Sequence, residues 1–175
     1  MEKPIKSVAS TYGIYLGIIL SLFTVIAYAV DLSLFTKWWF GILSIVILIV
    51  VSIVAVKAAK KQVSELFTFK MAFTSYFITI LIGTLISAVV SILIFNFIDP
   101  EAAETVKELT IDVTRQMMEN FGAAESDINE ALVKMEEDDQ FSIVNQLKRF
   151  VFSLAFLSLI GLIIALIFRE KEPIN

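Results

Sequence analysis

Four stretches of this 175-residue chain carry no charged side chain: Ser7 to Val30 (24 residues), Trp38 to Val56 (19), Met71 to Ile98 (28) and Phe150 to Phe168 (19). All 14 basic and 18 acidic residues therefore fall in the other 85 positions. A soluble core does not segregate charge in this way, because its helices alternate apolar and polar faces every few residues. Each run is long enough to cross a hydrocarbon layer of about 30 Å at about 1.5 Å per residue. Helices are the expected form, since open strands leave backbone groups unpaired in lipid. The sequence predicts an all-α fold, an integral membrane bundle of four transmembrane helices in contact with the lipid bilayer.

Residues 1–175 read as a single membrane domain, with spans at about 12–30, 38–56, 73–97 and 150–168. Tyr12, Tyr15 and Tyr28 mark the interfaces of the first span, and the pair Trp38-Trp39 opens the second. The third charge-free run, about 42 Å as a helix, exceeds what a bilayer needs, so tilt or trimming is expected. Lys3 and Lys6 precede the first span, and Lys57, Lys60, Lys61 and Lys70 lie between the second and third; the first connection has only Lys37. The positive-inside rule places both termini in the cytoplasm and residues 99–149 outside. Lys148 and Arg149 stand on the opposite side but are outnumbered. In the carboxyl tail, Arg169 and Lys171 balance Glu170 and Glu172. Lys3 and Lys6, an apolar run and Ala27-Tyr28-Ala29 together mimic a secretory signal. The run is long for a signal and its glycine spacing suits packing, so a retained span is expected.

The absence of cysteine excludes disulfides, thiol nucleophiles and thiolate metal sites, and the absence of histidine removes the commonest neutral-pH base and transition-metal ligand. No ionisable residue lies inside a span, which disfavours proton-coupled transporters and intramembrane proteases. Residues 99–149 hold 13 acids and 5 bases, leaving the rest of the chain at +4. That is too weak and too scattered for nucleic-acid recognition. The expectation is a non-enzymatic protein with no cofactor.

The acidic insertion reads as an extracytoplasmic amphipathic helical hairpin between spans three and four. Asp99-Pro100-Glu101 supplies a cap, a proline at the first helical position and an acid in the first turn. The stripe Ala102, Val106, Leu109, Val113, Met117 and Phe121 follows, until Gly122 offers a stop. A second helix near Ser126 carries Ile128, Ala131, Leu132 and Met135 on one face, and the two stripes are expected to pack together. From Phe141, the spacing of Val144 and Leu147 leads into the fourth span.

Three segments carry a resemblance. They are Phe67-Thr68-Phe69-Lys70-Met71-Ala72-Phe73 entering the third span, Phe95-Asn96-Phe97-Ile98-Asp99-Pro100-Glu101 leaving it, and Met117-Met118-Glu119-Asn120-Phe121-Gly122 before the second acidic helix. With the order of four spans, the chain resembles the domain of unknown function 4199 family of small bacterial membrane proteins. The resemblance implies this architecture and a bacterial inner-membrane location, and brings no activity and no site residues.

Small residues four apart let backbones approach, and packing drives helix association inside lipid. Gly13, Gly17 and Ser21 form such a ladder on the first span, Thr79, Gly83, Ser87 and Ser91 on the third, and Ser158, Gly161 and Ala165 a weaker one on the fourth. These ladders suit packing within the bundle more than a homo-oligomer seam or a hydroxyl-lined path. Asp31 and Asp99 end two spans on one side, and Asp99 is sufficiently explained as a cap. Glu136-Glu137-Asp138-Asp139 lacks the ligand spacing of a calcium loop and reads as a solvated helix end. Met117, Met118 and Met135 read as packing rather than a copper site. Lys57, Lys60, Lys61 and Lys70 read as topology-setting charges rather than lipid ligands. The favoured reading is a structural or interaction component of the membrane whose residues 100–139 contact a protein partner. The alternative is a small oligomeric channel or passive transporter, which predicts the span hydroxyls converging on one axis.

Overall fold

The computed structural model describes residues 2–64 and 66–170. Lys171 and Glu172 of the tail lie outside the described residues. Among the described residues there is no strand. Helix α1 (Glu2–Val30) ends at Asp31, whose carboxylate accepts hydrogen bonds at 2.8 Å from the Ser33 N–H and hydroxyl, starting a 3₁₀ turn (Leu32–Thr36). Helix α2 (Trp38–Lys60) follows. Helix α3 (Phe69–Leu93) begins where the Thr68 hydroxyl accepts from the Met71 N–H at 3.3 Å, and it continues into one π-helical turn (Ile94–Ile98). Pro100 explains that turn: it has no N–H and its ring crowds the carbonyl four residues before, so α geometry cannot run through it. The Asp99 N–H instead reaches the Ile94 carbonyl at 2.8 Å.

Asp99 caps helix α4 (Pro100–Asn120), its Oδ1 accepting from the Ala102 N–H at 3.0 Å. Gly122, at φ +74°, makes the left-handed exit that glycine adopts freely. Helix α5 (Glu125–Glu137) precedes helix α6 (Ile143–Phe168), capped by Ser142. Lys3–Val30, α2, Phe69–Ile98 and α6 are each long and apolar enough to cross a membrane. The third begins at Phe69 rather than Phe73 because Thr68 supplies its cap.

Helix α3 is the central post, touching α1, α2 and α6, while α1 also packs on α2. Helices α2 and α6 touch only sparingly. The start of α1 and the residues just after α6 meet the α2–α3 connection, where Ile5, Ala59 and Phe67 share one core and the Glu170 N–H donates to the Phe67 carbonyl. We call this the termini end. The hairpin end holds a second core of Ile94, Phe95, Ala102, Ala103 and Val106 against Tyr28, Phe35 and Phe141. Thus α4 lies across the end of the bundle, with its first half as a lid.

The hairpin differs from its expected packing. Ala102 and Val106 are buried, but Val113, Met117 and Phe121 of the same stripe are exposed, Phe121 by 84%. At a mean spacing of 3.8 residues against about 3.6 per turn, that stripe rotates by about 100° from Ala102 to Phe121 and cannot face one neighbour. The half-buried positions of α4 are Lys107, Leu109, Thr110, Ile111, Thr114 and Met118. Lys107 Nζ donates to the Glu136 carbonyl at 2.7 Å across the pair, while α5 buries Ile128 and Leu132. Met117 is accordingly a surface residue and not a packing one. In the first turns of α6, Val144 and Leu147 are exposed and the buried position is Gln146.

Candidate functional site

The termini half of the bundle is closed by small residues against large ones. A Cβ added at Gly13 would lie 2.8 Å from Cβ of Ile82, at Gly17 2.7 Å from Cβ of Ile86, and at Gly83 2.6 Å from the Leu16 side chain. Gly161 receives the ring of Tyr76 so closely that no Cβ fits. All these contacts join α1 or α6 to α3, so the glycine faces are occupied within one chain. Two polar contacts reinforce them: the Thr79 hydroxyl shares its one hydrogen between the Ala9 carbonyl at 3.1 Å and the Ser75 carbonyl at 2.9 Å, and the Tyr76 hydroxyl donates to the Leu157 carbonyl at 3.0 Å. Ser21 is also enclosed, its hydroxyl without a hydrogen-bond partner among the described residues.

One and two turns beyond Gly83 the same α3 ladder meets empty space. Ser87 and Ser91 line a cavity of about 460 Å³ beneath α4, with Thr24, Thr84, Thr110 and Ser153 also on its wall. A second cavity of about 320 Å³ lies between the hairpin-end halves of α2 and α6, walled by Phe40, Ser44, Leu48, Phe156 and Leu157. Leu20, Thr24, Thr84, Ser87 and Ser153 belong to both. The two adjoin along these side chains, and together they make up the space under the hairpin. Its floor is the packed layer formed by Leu16 on Gly83 and Tyr76 on Gly161. The space is therefore blind toward the termini end. Its rim residues Ile45 and Phe156 are 48% and 64% exposed, so the second chamber opens sideways between α2 and α6.

The chemistry of the wall changes from top to bottom. Thr24, Ser44, Thr84 and Thr110 each donate to the carbonyl four residues before, and Ser153 to the carbonyl three before. Their lone pairs remain available. The Ser87 hydroxyl has no hydrogen-bond partner among the described residues, and it faces both chambers. Near the roof, Gln146 is 8% exposed: its Nε2 donates to the Phe141 carbonyl at 2.6 Å and its Oε1 accepts from the Ser91 hydroxyl at 3.0 Å. Asn96 Nδ2 donates to the same Phe141 carbonyl at 3.0 Å. These bonds tie the π turn of α3, the α5–α6 connection and α6 into one roof. Among the described residues, the single charged one on the wall is Arg149.

The remaining candidates have structural partners. The Tyr28 hydroxyl donates to Asp99 Oδ2 at 2.9 Å, so Asp99 holds α1 as well as α4. Asp31 is engaged by Ser33, whose hydroxyl and then N–H hold its carboxyl below the usual range. Asp138 Oδ1 accepts from Asn145 Nδ2 and Asp139 Oδ1 from the Phe141 N–H, which commits half of the acidic run to starting α6. Lys57 Nζ lies 5.8 Å from the centre of the Phe168 ring, and Lys60 pairs with Glu170 at 3.0 Å. Glu170 also accepts from the Phe67 N–H at 2.9 Å. That hydrogen bond first, and Lys60 second, hold its carboxyl below the ordinary value. Lys61 caps the exit of α2 and Lys70 lies in the first turn of α3, so all four lysines belong to the termini end. These links pin α2 to α6 at that end, and the crevice opens at the other.

Neither Gln146 nor Arg149 is marked as a wall residue by any pattern in the sequence. Each needs the turn after α5 to fold back over the bundle. Comparison with curated proteins and with solved structures returns no match. The family described as "Protein of unknown function (DUF4199)" matches residues 11–170. With that match running from α1 to the end of α6, the chain belongs to the DUF4199 family.

Proposed function

We propose that the chain is a non-enzymatic binding component of the bacterial inner membrane that holds an amphiphilic molecule of the outer leaflet in the blind space under its hairpin. The observation that carries this reading is the adjoining pair of chambers, open to the side and stopped by the Tyr76–Gly161 and Leu16–Gly83 layer. The span hydroxyls converge, as a conducting path requires, but on a space with a floor. A single copy with that floor stores rather than conducts, and this places the channel alternative second. In this reading both termini are cytoplasmic and α4–α5 lie outside, supported by Lys57, Lys60, Lys61 and Lys70 gathering at the termini end.

A second reading, that residues 100–139 bind a protein partner, is favoured by the exposed row Val113, Met117 and Phe121 on the half of α4 beyond the lid.

Native mass spectrometry of the protein extracted from its own membranes tests the first reading, with at least one lipid-sized adduct expected to survive detergent exchange. A stripped protein under every condition, or ion flux through purified protein in liposomes, sinks it. Single cysteines in this cysteine-free chain test the orientation. Ser126→Cys is expected to react with an impermeant thiol reagent from outside and Ser64→Cys is not.

A further inference from the structure

Among the described residues, the wall of the upper chamber has one cation and no carboxylate, and this in a segment, residues 99–149, that carries 13 acids. We propose that the space binds one anionic phospholipid, its phosphate head group on Arg149 and one acyl chain in the crevice between α2 and α6. This rests on the reading of the space as a holding site, and it names what is held.

Three observations carry it. The first is the state of Arg149. Its guanidinium makes one long hydrogen bond, 3.4 Å, to the Gln140 carbonyl and no ion pair among the described residues. Five N–H donors in a planar fork match a phosphate in two-pronged fashion. An arginine among so many acids that pairs with none of them is a cation kept for something else. The second observation is the gradient along the wall. Thr110, Gln140 and Arg149 surround the head of the space, hydroxyls of Ser44, Ser87 and Ser153 its waist, and Leu20, Leu48 and Leu157 its foot. Polar contacts fix the end that meets water, and at the foot the leucine side chains offer dispersion contacts to whatever enters. That order is the order of groups in a phospholipid. The third is the entrance. A soluble anion could reach Arg149 from the surface, but it would not need an apolar crevice open to the membrane interior between Ile45 and Phe156. A lipid enters sideways, leaving its second chain in the bilayer through the same opening.

The roof fits this use. Arg149 lies one turn after Gln146, whose two hydrogen bonds fix the start of α6 against Ser91 and the Phe141 carbonyl. The guanidinium is therefore carried on an anchored turn at the rim, where its long stem follows the interface.

The test uses the full-length protein, delipidated and then equilibrated with vesicles of phosphatidylethanolamine containing one tenth phosphatidylglycerol. Native mass spectrometry counts the lipid retained. One phosphatidylglycerol per chain is expected, at least ten-fold enriched over its share of the vesicle. Arg149→Gln should abolish that enrichment while a lipid is still retained, and Arg149→Lys should restore part of it, since it returns the charge without the fork. Leu157→Trp, which fills the foot, should lower retention of both lipids, with the thermal midpoint measured alongside to show that the bundle still folds. Retention of both lipids in vesicle proportion, unchanged in Arg149→Gln, overturns the anionic head-group assignment and leaves the holding site standing. No retention of either lipid overturns both. Displacement of the bound phosphatidylglycerol by millimolar inorganic phosphate overturns the acyl-chain half, leaving a simple anion site.

Discussion

The two halves of the bundle use one ladder of small residues for opposite ends. On α3, Thr79 and Gly83 are met by α1, with the Ala9 carbonyl and the Leu16 side chain filling the groove. One turn on, Ser87 borders two cavities. A small residue thus specifies only that something can approach. What approaches is decided by the neighbour, a knob such as Leu16 or Tyr76 in the termini half and the gap left by diverging α2 and α6 in the hairpin half. Inside lipid, close contact and polar bonds hold helices together, since apolar side chains are as well solvated by acyl chains as by one another. The termini half is the foundation and the hairpin half is free to be hollow.

Breaking the foundation should have the largest effect. Gly161→Leu drives a side chain into the Tyr76 ring and Gly83→Leu into Leu16. Each is expected to destabilise the bundle by about 3 kcal/mol or prevent folding, because overpacking of a closed contact forces backbone shifts. Thermal unfolding in mild detergent reads this directly. If both variants melt with the wild type, the two halves do not differ and the comparison fails.

Tyr76→Phe keeps the ring in the Gly161 groove and removes only the hydroxyl that reaches the Leu157 carbonyl. The loss should be smaller, about 0.6 to 2 kcal/mol for a hydrogen bond between membrane helices. A loss as large as that of Gly161→Leu would mean that the polar bond, and not the ring in its groove, closes the floor.

The termini end also has a pH response. Glu170 has a folded-state value below its ordinary 4.5, owing to the Phe67 N–H and then Lys60. A lowered carboxyl adds stability that is complete above the ordinary value and is lost as pH falls through the folded one. The thermal midpoint of the wild type should therefore fall below about pH 4.5 more than that of Glu170→Gln, which lacks the carboxylate at every pH. The group is exposed at the interface, so the difference should be small. Equal slopes for the two proteins would detach α6 from this clamp.

The smallest effect is expected in the hollow half. Ser87→Leu, one turn from Gly83, places the same added side chain into empty space and should change stability by no more than about 1 kcal/mol. Gly41→Ala on α2, where a Cβ meets nothing within 4 Å, serves as the reference. A destabilised Ser87→Leu would show that the chamber walls are as tightly set as the floor.

Much of the fold was legible because it rests on composition and local rules. Four charge-free runs fix four helices, since only a helix satisfies its backbone within lipid. The Asp99-Pro100 start and the Gly122 exit are set by a carboxylate, a missing N–H and a positive φ, all within a turn of one another. The hairpin pairing was less legible, because a stripe of slightly wrong period rotates out of contact before the helix ends.

What only the tertiary structure decided is which neighbour meets each small-residue face and which sides of the spans enclose the chamber. In a soluble helix the hydrophobic face announces itself, but in a membrane lipid and core are equally apolar and the periodic signal vanishes. The contacts that then matter join distant residues, Ser91 to Gln146 and Phe67 to Glu170 across 55 and 103 positions. The sequence by itself determined that this chain crosses a membrane four times and carries a capped, acidic hairpin. The blind chamber, its floor of Tyr76 on Gly161 and the placement of Arg149 at its rim exist only once those long-range contacts have formed.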